Sequence, residues 1–434
     1  HLVLVGLNTY GLARRWNASP SGAAFASLSF CMGGAVLTQH SNIIYLVSAA
    51  WLPLAVSLSL DLIEKQDSRK SLAYLAVTLA LIILGGDPQM ALHVMLLIPL
   101  FYCFVSKTSN RNHQPNKIAK RKVAQRMVIA GIIAFGLAAI QILPTYTWSK
   151  NANRNLRSAS RTTFEWIADQ VTGNEVPNNI FKGRRASEHH GQLYQFSLAP
   201  WQMTELAFPN ITGKLYPQRQ RWTFLFEDNP RTWYPSIYQG ILPLLLALSI
   251  FGLGKKARHK QLSRMIVFTI LAALGTYGIG WFITAVSGAK PVASETGGVY
   301  WFLCNVVPGY IQFRYPAKWF ILTSLLIAIL AGVGFDTVDK ETERRRAVFN
   351  WSMVGLCAAL LTCYPLLSQL LTKGLANSPP DSFLGPAAGQ GVKRDLLQAA
   401  IQPLVIVLGF ILTTKLVRKE KMKTTMLRLL NQVK

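Results

Sequence analysis

The apolar residues of this chain fall into long uncharged blocks, and that arrangement constrains the fold more than any motif in it. Stretches such as Leu72 to Leu84, Met127 to Ile142, Ile241 to Leu253, Met265 to Val286, Phe320 to Val333 and Leu404 to Leu412 carry almost no charge. Several approach the ~20 residues that cross a ~30 Å hydrocarbon layer, so the sequence reads as an integral membrane protein, not as one large soluble core. The net charge of +26 would suggest nucleic acid in a soluble protein. Here the basic residues sit in the short connections between apolar blocks, where they orient helices, and no nucleic-acid partner is expected.

Alternate connections separate by charge. One set holds Arg14 and Arg15; Lys65, Arg69 and Lys70; Lys107 to Arg126; Lys255 to Arg264; Lys340 and Arg344 to Arg346; and the basic tail 418–434. The short connections of the other set, Gln39 to Asn42 and Gly86 to Gln89, have no Lys or Arg. By the positive-inside rule the first set is cytoplasmic, which predicts a multi-pass protein of the cytoplasmic (inner) membrane with a cytoplasmic C-terminus. Residues 1–13 resemble the closing half of a spanning helix, so a further N-terminal part is expected. About ten full spans follow, near 21–38, 43–62, 71–85, 90–106, 126–145, 238–253, 264–285, 317–335, 347–371 and 397–417. The expected fold is therefore an all-α polytopic membrane protein, one multi-span domain over 1–434. A long extracytoplasmic loop, 146–237, is inserted between spans. Within it the aromatic-rich stretch 193–209 is expected either to lie in the outer headgroup layer or to pack as a small lid. Cys31, Cys103, Cys357 and Cys363 lie in apolar blocks and Cys304 in a loop, with no spacing that suggests disulfides or a zinc site.

Outer connections of this kind are poor in cations near span ends, yet "GYIQFRYPAKWF" places Arg314 and Lys318 there, around Tyr315. Pro316 suits a first helical turn, and a spacing of four puts both cations on one face at a positive helix terminus. Two cations and free N–H groups there would suit a phosphate; the structural alternative is that both only snorkel into lipid headgroups. "GGDPQMALH" is a tight outer turn in which Asp87 suits an N-cap and Pro88 the first helical position. Asp87 is also a weak catalytic candidate, since a carboxylate at the membrane boundary can bind a metal or a sugar hydroxyl. Gln89 and His93 share its helix face. Gln141 and His40 add polar groups at the same level. Glu188, His189 and His190 have metal-ligand chemistry but read as a polar loop, and Asn210-Ile211-Thr212 is a sequon in form. Gly275, Gly278, Gly280, Gly332 and Gly334 suit close helix packing. No phosphate-binding Gly-rich loop with Lys and no Ser-hydrolase elbow is present, which disfavours an ATP-driven pump.

The order "GGDPQ", "AAIQILPT", "YQGILPLLLAL", "VPGYIQFRYPAKWF", "AILAGVGFD" resembles the bacterial YfhO family of membrane proteins over most of residues 20–336. That family is related to the membrane-embedded glycosyltransferases of the GT-C type. The resemblance implies transfer of a sugar from a polyprenyl-phosphate carrier to a cell-envelope glycopolymer or lipid acceptor on the extracytoplasmic face. It also implies a catalytic acidic residue in a first outer loop, which would lie before His1, with a divalent cation as a candidate cofactor. Many relatives carry His at the position of Asp87. On this reading Arg314, Lys318, Tyr315, Gln89 and Gln141 are the expected substrate-binding residues, with the lipid bilayer and the lipid-linked sugar phosphate as partners. The alternatives are a transporter or flippase of a lipid-linked or anionic solute, and a non-catalytic envelope scaffold. Transporters tend to place polar residues near the middle of broken spans and to repeat their halves, and neither is visible here. A lateral outer cavity would favour the enzyme, an alternating central one transport, and a filled interior the scaffold.

Overall fold

The computed structural model of the chain describes residues 1–65, 68–106, 120–149, 193–215, 220–226, 232–252, 257–288, 293–307, 309–337, 340–377, 385 and 388–432. Among them the regular structure is helical, with no β-strand. Four helices are long and apolar enough to cross a membrane: Ile43–Glu64, Pro316–Asp336, Thr342–Ala376 and Gly389–Val417. Two bent pairs bring the number to as many as six. The protein is a helical membrane protein on that basis.

Helix α13 (Phe320–Asp336) is the centre. Every side chain from Phe320 to Gly332 is buried, as expected of a helix that is apolar on all sides and must be surrounded. It packs on α2 (Pro20–Cys31), α9 (Ile241–Ile250) and α10 (Ala257–Ala273). Helix α1 (Leu2–Arg15) lies against α2 and α4 (Ile43–Glu64), and α5 (Arg69–Leu84) lies between α4 and α7 (Lys120–Leu137). The long helices α14 (Lys340–Ala376) and α15 (Gly389–Gln432) pair with each other and meet the rest through α9, through Arg346 on the end of α13, and through residues such as Ile211, Lys214 and Trp222.

The α2–α13 crossing depends on glycine. A Cβ on Gly332 would stand 2.4 Å from the Gly22 carbonyl oxygen, so only hydrogen at both positions allows the backbones this close. Just below, Ser19 N–H and Oγ–H donate to Asp336 at 2.6 and 2.5 Å, while Ser19 Oγ accepts from Gly22 N–H and caps α2. The "AGVGFD" ending of α13 is thus a clamp on the start of α2. At the other end Gln239 Nε2 donates to the carbonyl and hydroxyl of Ser29, and Ser324 Oγ donates to Gln239 Oε1, so all three buried polar groups are satisfied inside the bundle.

Several expected spans are interrupted. The stretch 21–38 bends by 48° where α2 gives way to α3 (Gly34–Leu37), and 126–145 bends by 74° between α7 and α8 (Ala139–Ser149). The expected span at 264–285 is corrected: α10 ends at Ala273, and a separate nine-residue helix, α11 (Ile279–Ser287), begins beyond Gly275, whose φ is +55°. The break holds because other segments satisfy the freed backbone: Leu198 N–H donates to Ala273 O, and Thr276 N–H to Ser197 Oγ. Helix α12 (Val299–Val306) follows, and it carries Cys304, which is buried in a helix and not in a loop. Residues 193–209 do not form a helix lying on the surface; Leu193, Leu198 and Leu206 enter the main core and Pro200–Leu206 is one short 3-10 stretch.

Arg15 bonds Asp61 and Glu64, Lys65 bonds Asp61, and Arg126 donates to the Leu62 and Lys65 carbonyls. The basic ends of α1, α4 and α7 therefore meet at one end of the bundle. The Gly85–Gly86 turn packs against Val47 and Ile44, at the opposite end of α4.

Candidate functional site

The site begins at the turn after α5. Gly86 adopts φ +98°, a backbone shape that glycine reaches without strain, and this lets Gly86 and Asp87 N–H close onto Ile83 and Ile82 carbonyls. Pro88 then opens α6 (Pro88–Ser106), and Asp87 Oδ1 accepts from Met90 N–H at 3.3 Å. The N-cap and N1 roles read from "GGDPQ" are both present. Asp87 has a second partner that its neighbourhood in sequence does not suggest. Lys318 Nζ donates to the same Oδ1 at 2.9 Å, in an ion pair whose side chains are 9% and 1% exposed.

Lys318 is therefore not an open cation. Its ammonium lies 4.5 Å from the Tyr45 ring centroid and 5.5 Å from that of Trp233, which places the charge among ring faces as well as beside a carboxylate. Trp233 stacks on Tyr315 at 4.8 Å, and Phe196 stands edge-on to both. Four residues from four parts of the chain thus form one aromatic cap over the ion pair. Tyr315 and Phe196 also have left-handed backbones, φ 67° and 61°; the other positive-φ residues besides glycine among those described are two asparagines, which tolerate it. Such a shape costs a bulky residue about 1–3 kcal/mol and persists only where packing imposes it.

The left-handed turn at Tyr315 corrects one expectation. Arg314 and Lys318 do not share a helix face, because the chain turns at Tyr315 and Pro316–Trp319 is a 3-10 turn leading into α13. Lys318 is directed inward to Asp87. Arg314 precedes the turn, is half-buried, and has no bonded partner among the described residues. Of the two cations, Arg314 alone is available to an incoming anion.

One turn deeper, His93 Nε2 and Tyr310 Oη lie 2.9 Å apart, Trp319 Nε1–H donates to Tyr310 Oη at 2.8 Å, and the His93 ring stacks on Trp319 at 4.0 Å. His93 thus has hydrogen-bonded packing. Among the described residues Gln89 Nε2 and His93 Nδ1 are buried without hydrogen-bond partners, and the two residues are neighbours on α6. Gln141 lies beyond the bend on α8, half-buried and without a side-chain hydrogen bond among the described residues; it is not gathered with Asp87 and Lys318. His40 is exposed and bonds Leu37 O. Thr212 of the sequon is buried and donates to Glu205, which also pairs with Arg221. Glu188, His189 and His190 lie outside the described residues. Among the described residues no group of three His, Cys, Asp or Glu side chains is placed to hold a metal.

Tyr234, beside the cap, is buried, and that burial together with the nearby Asp87 and Tyr45 pushes its phenol well above the ordinary tyrosine range. Tyr45, Phe196, Trp233 and Tyr310 were not among the residues singled out from sequence. Sequence pointed only to Phe196, as one aromatic of the stretch 193–209, and that enrichment does not say which rings meet. No family model, curated protein or solved structure matches the chain.

Proposed function

We propose that the chain is a membrane glycosyltransferase-like protein of the GT-C kind, acting on a lipid-linked sugar phosphate at the extracytoplasmic face. The proposal includes the finer topology: about ten membrane passes, with α10 in place of the expected span 264–285, residues 146–237 as an outer insertion, and the tail 418–434 in the cytoplasm. A polyprenyl-phosphate sugar holds its chain in the bilayer, its anion at the surface and its sugar in water. The observation that supports the reading is Arg314, without a bonded partner among the described residues, next in sequence to an aromatic cap over a buried ion pair. Arg314 offers a planar fork of donors to the carrier phosphate, and its charge counts most as negative charge grows on that phosphate when the sugar leaves. The flat faces of Trp233 and Tyr315 suit the apolar face of a sugar ring. Asp87 and Lys318 act as positioning residues: they neutralise each other and fix the start of α6 against the start of α13.

Native mass spectrometry of the protein in nanodiscs containing undecaprenyl phosphate tests this. Arg314→Ala is expected to lose at least tenfold in retained lipid while folding normally, and equal retention by the variant would reject the assignment. A second reading, a non-catalytic envelope scaffold, draws support from two observations. Asp87 is committed to Lys318 and to the cap of α6, and the centre is filled by α13. Full lipid retention with no change in envelope glycans on deletion would favour it.

A further inference from the structure

We propose that α11 lies flat in the outer leaflet, half inserted, with one apolar edge against lipid acyl chains. Ile279, Phe282, Ile283 and Val286 recur at the spacing of a single helix face and are 59%, 62%, 39% and 73% exposed. The helix carries no charged residue, and at nine residues it is about 13 Å long, too short to span. Water is a poor occupant for four bare apolar side chains in one stripe.

Two further observations select lipid. The first is depth. From Arg264, the last cation of the cytoplasmic set, to Ala273, α10 rises about 14 Å, close to the middle of a ~30 Å hydrocarbon layer, so the break at Gly275 beyond it falls inside the outer leaflet. This step rests on α10 crossing from the cytoplasmic side, as proposed above. The second is the backbone. A helix start in water can leave its first N–H groups to solvent, but here Gly278 and Trp281 N–H donate to Ser294 O and Gly280 N–H to Thr296 O. Irregular backbone at membrane depth is tolerated only when it is satisfied by protein in this way. Val267 and Leu271 on α10 and Phe302 and Val306 on α12 are apolar and exposed as well. At its base Trp201, Tyr277 and Trp281 pack ring against ring at 5.2 to 6.5 Å, an aromatic cluster of the kind that marks a bilayer boundary.

The test uses spin labels at Ile279→Cys, Phe282→Cys, Ile283→Cys and Val286→Cys, each in a variant whose native cysteines are replaced, in liposomes. Oxygen and a water-soluble nickel chelate compete as relaxants. The expected result is oxygen dominance at all four positions, with depths agreeing within about 5 Å, as a helix parallel to the membrane requires. Dominance of the nickel chelate would place the edge in water and overturn the proposal. Exclusion of both reagents would mean a protein partner or a second copy, and a steady depth change of about 10 Å from 279 to 286 would mean an upright helix; either overturns it. An impermeant thiol reagent at Arg314→Cys reports sidedness separately, so a failure of the topology is distinguishable from a failure of this proposal.

Discussion

Replacing Lys318 by Met keeps most of the length of the side chain, one atom short, and removes its charge. Asp87 would then be a carboxylate that is 1% exposed, with only the Met90 N–H left of its two described bonds. Breaking a buried pair by deleting one partner costs about 3–5 kcal/mol, because the remaining charge is desolvated without compensation. Loss of the contacts with Tyr45 and Trp233 adds about 0.5–2 kcal/mol. Asp87→Asn alone leaves the ammonium stranded and should cost a comparable amount. The double variant strands nothing: Asn still caps α6, and Met fills the space among the rings. We therefore expect each single variant to lose at least about 3 kcal/mol, roughly a hundredfold in the folded-to-unfolded ratio, and the double variant to recover about 2 kcal/mol or more of the additive sum. Unfolding in detergent, followed by tryptophan fluorescence, measures all four proteins. Single variants within about 1 kcal/mol of wild type, with simple additivity in the double, would show that the buried pair does not hold the start of α6 against the start of α13.

Gly332→Ala should destabilise by about 1–3 kcal/mol, because its methyl meets the Gly22 carbonyl, whereas Gly355→Ala, in open space on α14, should be neutral or gain up to about 1 kcal/mol; the two unfolding midpoints separate packing from helix propensity. Tyr234 has a folded-state pKa above its unfolded value, so its neutral form stabilises the protein fully below about pH 10 and that contribution is lost as pH rises beyond it. A pH series of melting temperatures from 8 to 11 should therefore fall less steeply for Tyr234→Phe than for wild type, and parallel curves would contradict this.

The parts of the fold that sequence made legible are those set by local chemistry. Asp87 before Pro88 marks a helix start from its own side chain and ring, and the Gly332 and Gly334 positions mark a close crossing because only small residues allow one. The partner of Asp87 was not legible, because Lys318 is 231 residues away and each charge has a satisfactory local explanation. The left-handed turn at Tyr315 was equally hidden: a bulky residue there contradicts its own preference, and only contacts with Trp233 and Phe196 impose it. Span counting failed where a glycine ends a helix. Gly275 looks like a packing residue within an apolar run, yet it breaks the run, because Ser197 and Leu198, distant in sequence, supply the backbone partners that a continuous helix would have supplied.

The side of the membrane on which residue 314 sits tests the central claim most directly. In a variant with its native cysteines replaced, Arg314→Cys should react with an impermeant maleimide added to intact cells or right-side-out vesicles. Labelling only after the membrane is permeabilised would contradict the account.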